Sequence, residues 1–573
     1  MNVQDQMNNI YRRYLVPGNH GASDYFSVIR ELLVLKKSGV EPIQDALDEI
    51  YGLLADEIEH NQGQPRHRIS FGTSGWRGHL GKDVFVHSAG CVTSAIIDLY
   101  LEAEAQPELL KHLGVSSFAE GTRRGCLVGW DNRFGGELIG RQVAQMLVQH
   151  GFKVYLCGES TTGVLSAALL QLGAAFSVNL TPSHNPLEYG GYKYNAADGG
   201  PAAEELTSLI TAGSRRYVDS GILSEATADG PKGELIEIDS FGLWVRHVEN
   251  NSDKHRIDYR RLLEEVAARS DIDIAVDSVH GASRLHIKRL LGPAANRLKL
   301  LRGDQDVTFG GIAPEPSSAN LAMVTEHLKA SKARLKIGAI IDPDGDRIRF
   351  TDGTTEISMN QFGALAYHFL HEHKGLRGLV AKTVATSNLA NAVAEKLGEE
   401  VFETKVGFKE FKPVIGSALV CFEESDGISI IGHTPEKDAY IGLLLALDMV
   451  ISRDMNLGDL QQEMEQIYGV YCPARDGVEV SLQGSELTEA LSKLEHYQVG
   501  SAVLVGNEEK RIKKIISIDG RKMIFEDNSW LMIRPSGTEP KVRFYVESRD
   551  PAGTGDLVAA AKAMLAEAGL LDH

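Results

Sequence analysis

Three carboxylates at alternate positions, Asp342, Asp344 and Asp346, follow the apolar run Ile337–Ile341 in the segment DPDGDR. If that run is a buried strand, the three side chains converge just beyond its end, where they repel one another unless a cation lies between them. Oxygen-only ligation suits a hard ion such as Mg²⁺. The spacing also fits the start of a calcium EF-hand loop, but Arg347 stands sixth where that loop needs glycine, and Gly353 twelfth where it needs glutamate. An aspartyl phosphotransferase would use Asp342 as a nucleophile, but it carries Thr or Val where Asp346 stands. A solvated acidic turn is the plain alternative.

Three more polar loops follow or interrupt apolar runs. After AAFSVNL comes TPSHNPLEYGGYKYN, residues 181–195, in which Ser183 is a candidate nucleophile and Pro186, Gly190 and Gly191 preclude a continuing helix. Ordinary side-chain turn bonds by Thr181, Ser183 and Asn185 are the competing reading. After ALVCF, the acceptors Glu423, Glu424 and Ser425 suit vicinal sugar hydroxyls, with Lys437 a cation beside them. Finally RPSGTEPKVRFY places Arg534, Ser536, Gly537, Thr538 and Arg543 within ten residues. Two guanidinium forks, two hydroxyls and exposed amides satisfy a phosphate dianion; a β-turn with surface arginines is the plain alternative, as a solvated acidic turn is for Glu423, Glu424 and Ser425.

Loops of this kind need rigid elements behind them. Residues 1–62 show helical spacing in DYFSVIRELLVLKKSG and IQDALDEIYGLLADEIEH. CLVGWDNR, GELIGRQVAQMLVQHG and FKVYLCGES read as strand, helix and strand; a strand–helix pairing returns in IDIAVDSVHGASRLHIKRLLG and again in LVAKTVATSNLANAVAEKLGEEVFETK. Three α/β units suggest duplicated domains. The remainder reads as a smaller α+β domain, and polar stretches near 225–238, 353–358 and 471–477 are candidate boundaries. The expected division is a helical extension 1–62 and four domains, I at 63–238, II at 239–355, III at 356–470 and IV at 471–573.

Composition limits the partners. Fifty-nine basic against 78 acidic side chains leave −19, which disfavours nucleic acid and anionic membranes. Five scattered cysteines without a Cys-x-x-Cys pair argue for reduced thiols. With no apolar N-terminal region and no spanning run, a cytoplasmic protein is expected.

Together with FGTSGWRG at 71–78, the four loops resemble, in order, the signature loops of the α-D-phosphohexomutase superfamily. VGWDNR, DVTFGGIAPEPS, TVATS and TKVGF are secondary matches, and the resemblance runs from about residue 66 to the C-terminus. It implies a heart-shaped molecule of three similar α/β domains and one α+β domain, monomer or homodimer, around a central cleft. It further implies that Ser183 is phosphorylated and that Asp342, Asp344 and Asp346 hold Mg²⁺ together with a phosphoserine oxygen. Lys193 matches the general acid/base, with His184 beside the serine as an orienting group or hydrogen-bond donor; Arg77 and Arg347 match cleft arginines, and Glu423 and Ser425 the ligands of sugar O3 and O4. The expected reaction interconverts hexose 1- and 6-phosphates through a 1,6-bisphosphate. The EES loop points to glucose, giving glucose 1,6-bisphosphate as intermediate and activator, with mannose an alternative and a silent sugar-phosphate sensor a remote one. Pro182 and Asp426 depart from the usual pattern and bear on substrate choice.

Overall fold

A computed structural model describes residues 3–37, 43–72, 74–226, 230, 232–536 and 541–571. The N-terminal extension forms helices α1 (Val3–Tyr14), α2 (Tyr25–Lys37) and α3 (Ile43–His60). Their apolar faces, including Ile29, Leu32, Ile50 and Ile58, join one core with Leu80, Val84 and Trp76 of the first α/β unit. Glu57 at the edge of this core pairs with Lys82.

Four sheets follow. The first contains β1 (Trp76–His79), β2 (Cys126–Trp130), β3 (Val154–Glu159), β4 (Phe176–Leu180), β5 (Tyr189–Ala196) and β6 (Leu235–Glu237) in the order β1-β5-β4-β2-β3-β6. The second contains β7 (Ile272–Asp277), β8 (Leu298–Leu301), β9 (Leu335–Ile341), β10 (Ile348–Thr351) and β11 (Glu356–Ile357) in the order β11-β10-β9-β7-β8. In the third, β12 (Val380–Thr383), β13 (Val401–Thr404), β14 (Val420–Glu423) and β15 (Gly427–Ile430) run β13-β12-β14-β15.

The same arrangement recurs in all three sheets. Counting from β2, β7 and β12, the first and second strands pair in parallel, the third lies parallel on the other side of the first, and an antiparallel strand follows it; β1 and β6 are additions at the edges of the first sheet. Ser183 lies between β4 and β5, the aspartates between β9 and β10, and the EES residues at the turn from β14 to β15. Three of the four expected active loops thus occupy the same topological position. The duplication expected from the strand–helix rhythm is real at this level, although the helix after β7 is only Ile287–Leu291.

The fourth sheet is antiparallel: β16 (Cys472–Glu479), β17 (Ala502–Val505), β18 (Glu508–Ile516), β19 (Arg521–Phe525), β20 (Trp530–Pro535) and β21 (Lys541–Ser548), in the order β16-β21-β20-β19-β18-β17. The chain is thus three α/β units followed by an α+β one.

The polar stretches expected as boundaries each contribute an edge strand: β6 pairs with β3, β11 with β10, and β16 with β21. Edge strands tolerate polar residues and even Pro473, because one side need not be buried or fully bonded. The serine loop is also shorter than 181–195, since Gly190 and Gly191 lie within β5; at Gly190 a Cβ would come 3.1 Å from Leu80 and Val84. All five cysteines are free thiols. Among the described residues, no helix is long and apolar enough to cross a membrane.

Candidate active site

The ends of β4 and β9 bring two loops together. Ser183 Oγ donates to Asp342 Oδ2 at 2.9 Å. Ligand atoms of Asp342, Asp344 and Asp346 lie within 4.8 Å of one another, and all three residues are buried. The loop closes through Asp342 Oδ1, which accepts from the backbone N–H of Asp346 and of Arg347, each at 3.0 Å. Gly345 permits the turn with φ +65, and a Cβ there would come 2.6 Å from Thr161. Ser183 itself has φ +58, a left-handed conformation costing a non-glycine residue about 1–2 kcal/mol.

Lys193, on β5, reaches across to the aspartates: its Nζ is 2.5 Å from Asp344 Oδ2 and 2.9 Å from Asp346 Oδ2. Lys437 Nζ is 3.2 Å from the same Asp346 oxygen. Burial opposes charge on both sides of this cluster. It lifts the Asp342 carboxyl well above the usual range, and the neighbouring Asp344 and Asp346 add to the effect. Burial would lift Asp346 too, but Lys193, Lys437 and Arg347 outweigh it and hold it well below that range. For Lys193, burial is outweighed by Asp344 and Asp346, and the group is firmly an ammonium. His184 Nδ1 is 3.4 Å from Ser183 Oγ; burial, followed by Arg347 and Arg77, pushes the imidazole far down, so it is neutral.

The residues fit a hard cation. Asp344 Oδ1 and Asp346 Oδ1 are buried without a hydrogen-bond partner. Such an orphaned carboxylate oxygen is costly unless a metal takes it. The donor set is oxygen only, as Mg²⁺ requires.

Arg77 on β1 donates to Asn185 Oδ1 at 2.6 Å, over the serine loop. In the third unit, Glu423 Oε1 accepts from Gly407 N at 3.0 Å, and burial raises its carboxyl against the pull of Lys437. Ser425 is half-buried beside it. Asp426, expected to bear on substrate choice, joins two units: its carboxylate takes Arg349 Nε at 3.2 Å and Nη2 at 2.7 Å, while its carbonyl takes Ile348 N at 2.8 Å.

In the fourth unit Arg534 and Arg543 are cross-strand partners on β20 and β21. Like charges directly opposite are unfavourable in a sheet, so the pair favours an anion. Asp519 Oδ2 lies 3.1 Å from Arg534 Nε and accepts from Val406 N at 3.0 Å, tying the fourth unit to the third. The backbone N–H of Ser536 donates to Lys541 O at 2.8 Å. Gly537 and Thr538 lie outside the described residues.

The structure therefore gathers Ser183, His184, Lys193, the three aspartates, Arg347 and Lys437 into one cluster, with Arg77 and Glu423 at its border. Sequence reasoning missed four neighbours. Thr162 Oγ1 donates to Asp344 Oδ2 at 2.8 Å. Glu436, buried beside Lys437, accepts from Asn195 Nδ2 at 3.4 Å. Asp131 Oδ2 accepts from Thr181 Oγ1 at 2.6 Å, and burial lifts its carboxyl to about 6 against Arg133. Arg133 donates to carbonyls of the serine loop. The segment VGWDNR carried the signal for the last two.

Comparison with known proteins agrees with this geometry. Residues 68–218, 246–355 and 358–468 match the models of phosphoglucomutase/phosphomannomutase α/β/α domains I, II and III, and residues 486–563 match that family's C-terminal domain. A probable phosphoglucosamine mutase of Methanosphaera stadtmanae is 27% identical over 84% of this chain and 94% of its own. A phosphoglucomutase of Rhizobium radiobacter is 28% identical over 74% and 83%. The crystal structure of a putative phosphomannomutase from Thermus thermophilus superposes with a TM-score of 0.67 at 26% identity, covering 87% of this chain and 99% of that one. With all four of its domains matched in order along the sequence, the chain belongs to the phosphoglucomutase/phosphomannomutase family of phosphohexomutases.

Proposed function

We propose that this phosphohexomutase interconverts glucose 1-phosphate and glucose 6-phosphate, with Ser183 carrying the shuttled phosphoryl group. The observation that carries the reading is the 2.9 Å bond from Ser183 Oγ to Asp342, at the mouth of a buried carboxylate triad. Mg²⁺ held by Asp342, Asp344 and Asp346 would supply electrostatic stabilisation of the charge on the transferring group.

The protein's own residues do the rest. A sugar hydroxyl attacks the phosphorus of phosphoserine, the bond to Ser183 Oγ breaks, and the serine regains its hydroxyl. Lys193 relays the proton that the sugar hydroxyl loses and Ser183 Oγ gains. Arg77 and Arg347 bear the negative charge spread over the equatorial oxygens. Neutral His184 orients Oγ by a hydrogen bond. The bisphosphate then turns over and returns its other phosphoryl to Ser183, while Arg534, Arg543, Ser536, Gly537 and Thr538 grip whichever phosphate is distal. Lys437 adds charge near the sugar.

Glu423 and Ser425, addressing O3 and O4, support a glucose-type acceptor. Relatives named for glucosamine and mannose make the substituent at C2 the point to test. The test compares kcat/KM on glucose, mannose, glucosamine and N-acetylglucosamine 1-phosphates, each with Mg²⁺ and a trace of glucose 1,6-bisphosphate. Glucose is expected first, mannose measurable and N-acetylglucosamine poor. Mannose or glucosamine exceeding glucose overturns the substrate, and turnover of none overturns the activity in favour of a binding protein.

A further inference from the structure

Ser183 is held in its left-handed conformation by a turn outside its own loop, and the chemistry above makes no use of that turn. Arg133 is 5% exposed. Its Nη2 donates to Ser183 O at 2.7 Å and to Asn185 O; its Nη1 donates to Pro186 O at 2.6 Å. Three carbonyls of one short loop thus converge on one guanidinium. A planar fork with several fixed donors meets that arrangement, whereas an ammonium on a flexible stem does not.

The N–H of Ser183 is governed from the same turn. It donates to Thr181 Oγ1 at 2.9 Å, which donates to Asp131 Oδ2 at 2.6 Å, and Asp131 lies 3.4 Å from Arg133 Nε. The turn also faces the second unit. The Arg133 guanidinium sits 4.8 Å from the Phe309 ring centroid, and Asn132 Nδ2 donates to His280 O at 2.5 Å and Asp306 O at 3.2 Å.

We propose that Arg133 is a positioning residue that locks Ser183 at its positive φ, aims Oγ at the aspartates, and registers that conformation against the second unit through Phe309. This rests on the reading of Ser183 as the phosphoryl carrier. Displacement of a reacting atom by about 1 Å costs on the order of a hundredfold in rate, so the effect belongs in kcat, since the sugar and distal phosphate are gripped by other units.

Two measurements on the full chain test this. In the first, Arg133→Lys is assayed for kcat, KM and the fraction of Ser183 phosphorylated by glucose 1,6-bisphosphate, read by phosphopeptide mass spectrometry. The expected result is a kcat loss of about a hundredfold with KM little changed, and rescue of Arg133→Gly by added guanidinium but not by equal ammonium. The second is independent of activity. Because glycine relieves a positive φ and alanine does not, Ser183→Gly should melt above Ser183→Ala, and the gap should close in the Arg133→Lys background. If Arg133→Lys does not fold, Phe309→Leu replaces it in both measurements, with a smaller kcat loss expected. A kcat within threefold of the unmodified protein, or an unchanged Gly–Ala gap, overturns the clamp. Absence of phosphate on Ser183 in the unmodified protein would instead remove the phosphoryl-carrier reading, and the melting gap would still decide the conformational claim.

Discussion

At the scale of single residues, the site divides sharply between groups that react and groups that hold. Ser183→Ala removes the oxygen proposed to carry phosphoryl, and mutase turnover should vanish; ordinary steady-state activity in that variant would contradict the mechanism. Asp344→Asn leaves two carboxylates for the cation and should lower kcat more than it raises KM, with Mg²⁺ affinity, read by titration of the apo protein, falling in parallel. Arg534→Ala or Arg543→Ala should act the other way. Each loses one or two charge-assisted bonds, about 1.5–3 kcal/mol, or roughly a 10- to 150-fold rise in KM. An unchanged KM in both would detach that pair from substrate phosphate.

At the scale of elements, Asp426 shows how a residue in a substrate loop can serve the frame instead. Its carboxylate is 2% exposed and pairs with Arg349 across the boundary between the second and third units. Removing Asp426 takes from Arg349 the more buried of its two partners, its Nη1 keeping Glu356 Oε1 at 3.1 Å, at a cost of about 1–3 kcal/mol. Asp426→Ala should therefore lower the urea midpoint measurably while the ranking of hexose substrates stays as it was; a reordered ranking with unchanged stability would restore a substrate role. This division also explains what the sequence made legible. Ser183, the aspartates and Glu423 could be read because polar side chains directly after apolar runs announce a loop at a strand end. The edge strands β6, β11 and β16 could not, because an edge carries no alternating apolar pattern. Arg133 lay in a segment that had been singled out, yet its partners are backbone carbonyls, which leave no trace in side-chain types. Asp426 was visible as a departure, but its partner Arg349 is 77 residues away in sequence.

At the scale of the whole molecule, His247, His255 and His286 are buried in the second unit, the first and last of them facing its neighbours. His247 Nδ1 lies 3.1 Å from Gln171 Nε2 and its ring 5.5 Å from that of His433, while His286 Nδ1 is 3.2 Å from Tyr440 OH. Burial pushes His247 down to about 3 and both His255 and His286 down to about 4. The unfolded imidazoles titrate near about 6.5, so below that pH the unfolded chain binds protons that the folded chain refuses. Their stabilisation is complete above that value and is lost as pH falls, at up to about 4 kcal/mol per pH unit for three sites. Unfolding midpoints measured between pH 7.5 and 5 should drop steeply below 6.5; a flat profile would contradict the burial of these rings as neutral species. The repeated strand order has a different consequence. Each of the three loops joins a parallel strand to its antiparallel neighbour, yet the connections differ in length: 181–188 after β4, 342–347 after β9 and 424–426 after β14. The paired strands fix where a loop leaves and re-enters the sheet, and the chain between them can lengthen or shorten without moving that frame. Duplication gave the chain three copies of one frame, and divergence changed both the reach of each loop and what it displays: on the proposed reading a nucleophile in the first, cation ligands in the second, hydroxyl acceptors in the third.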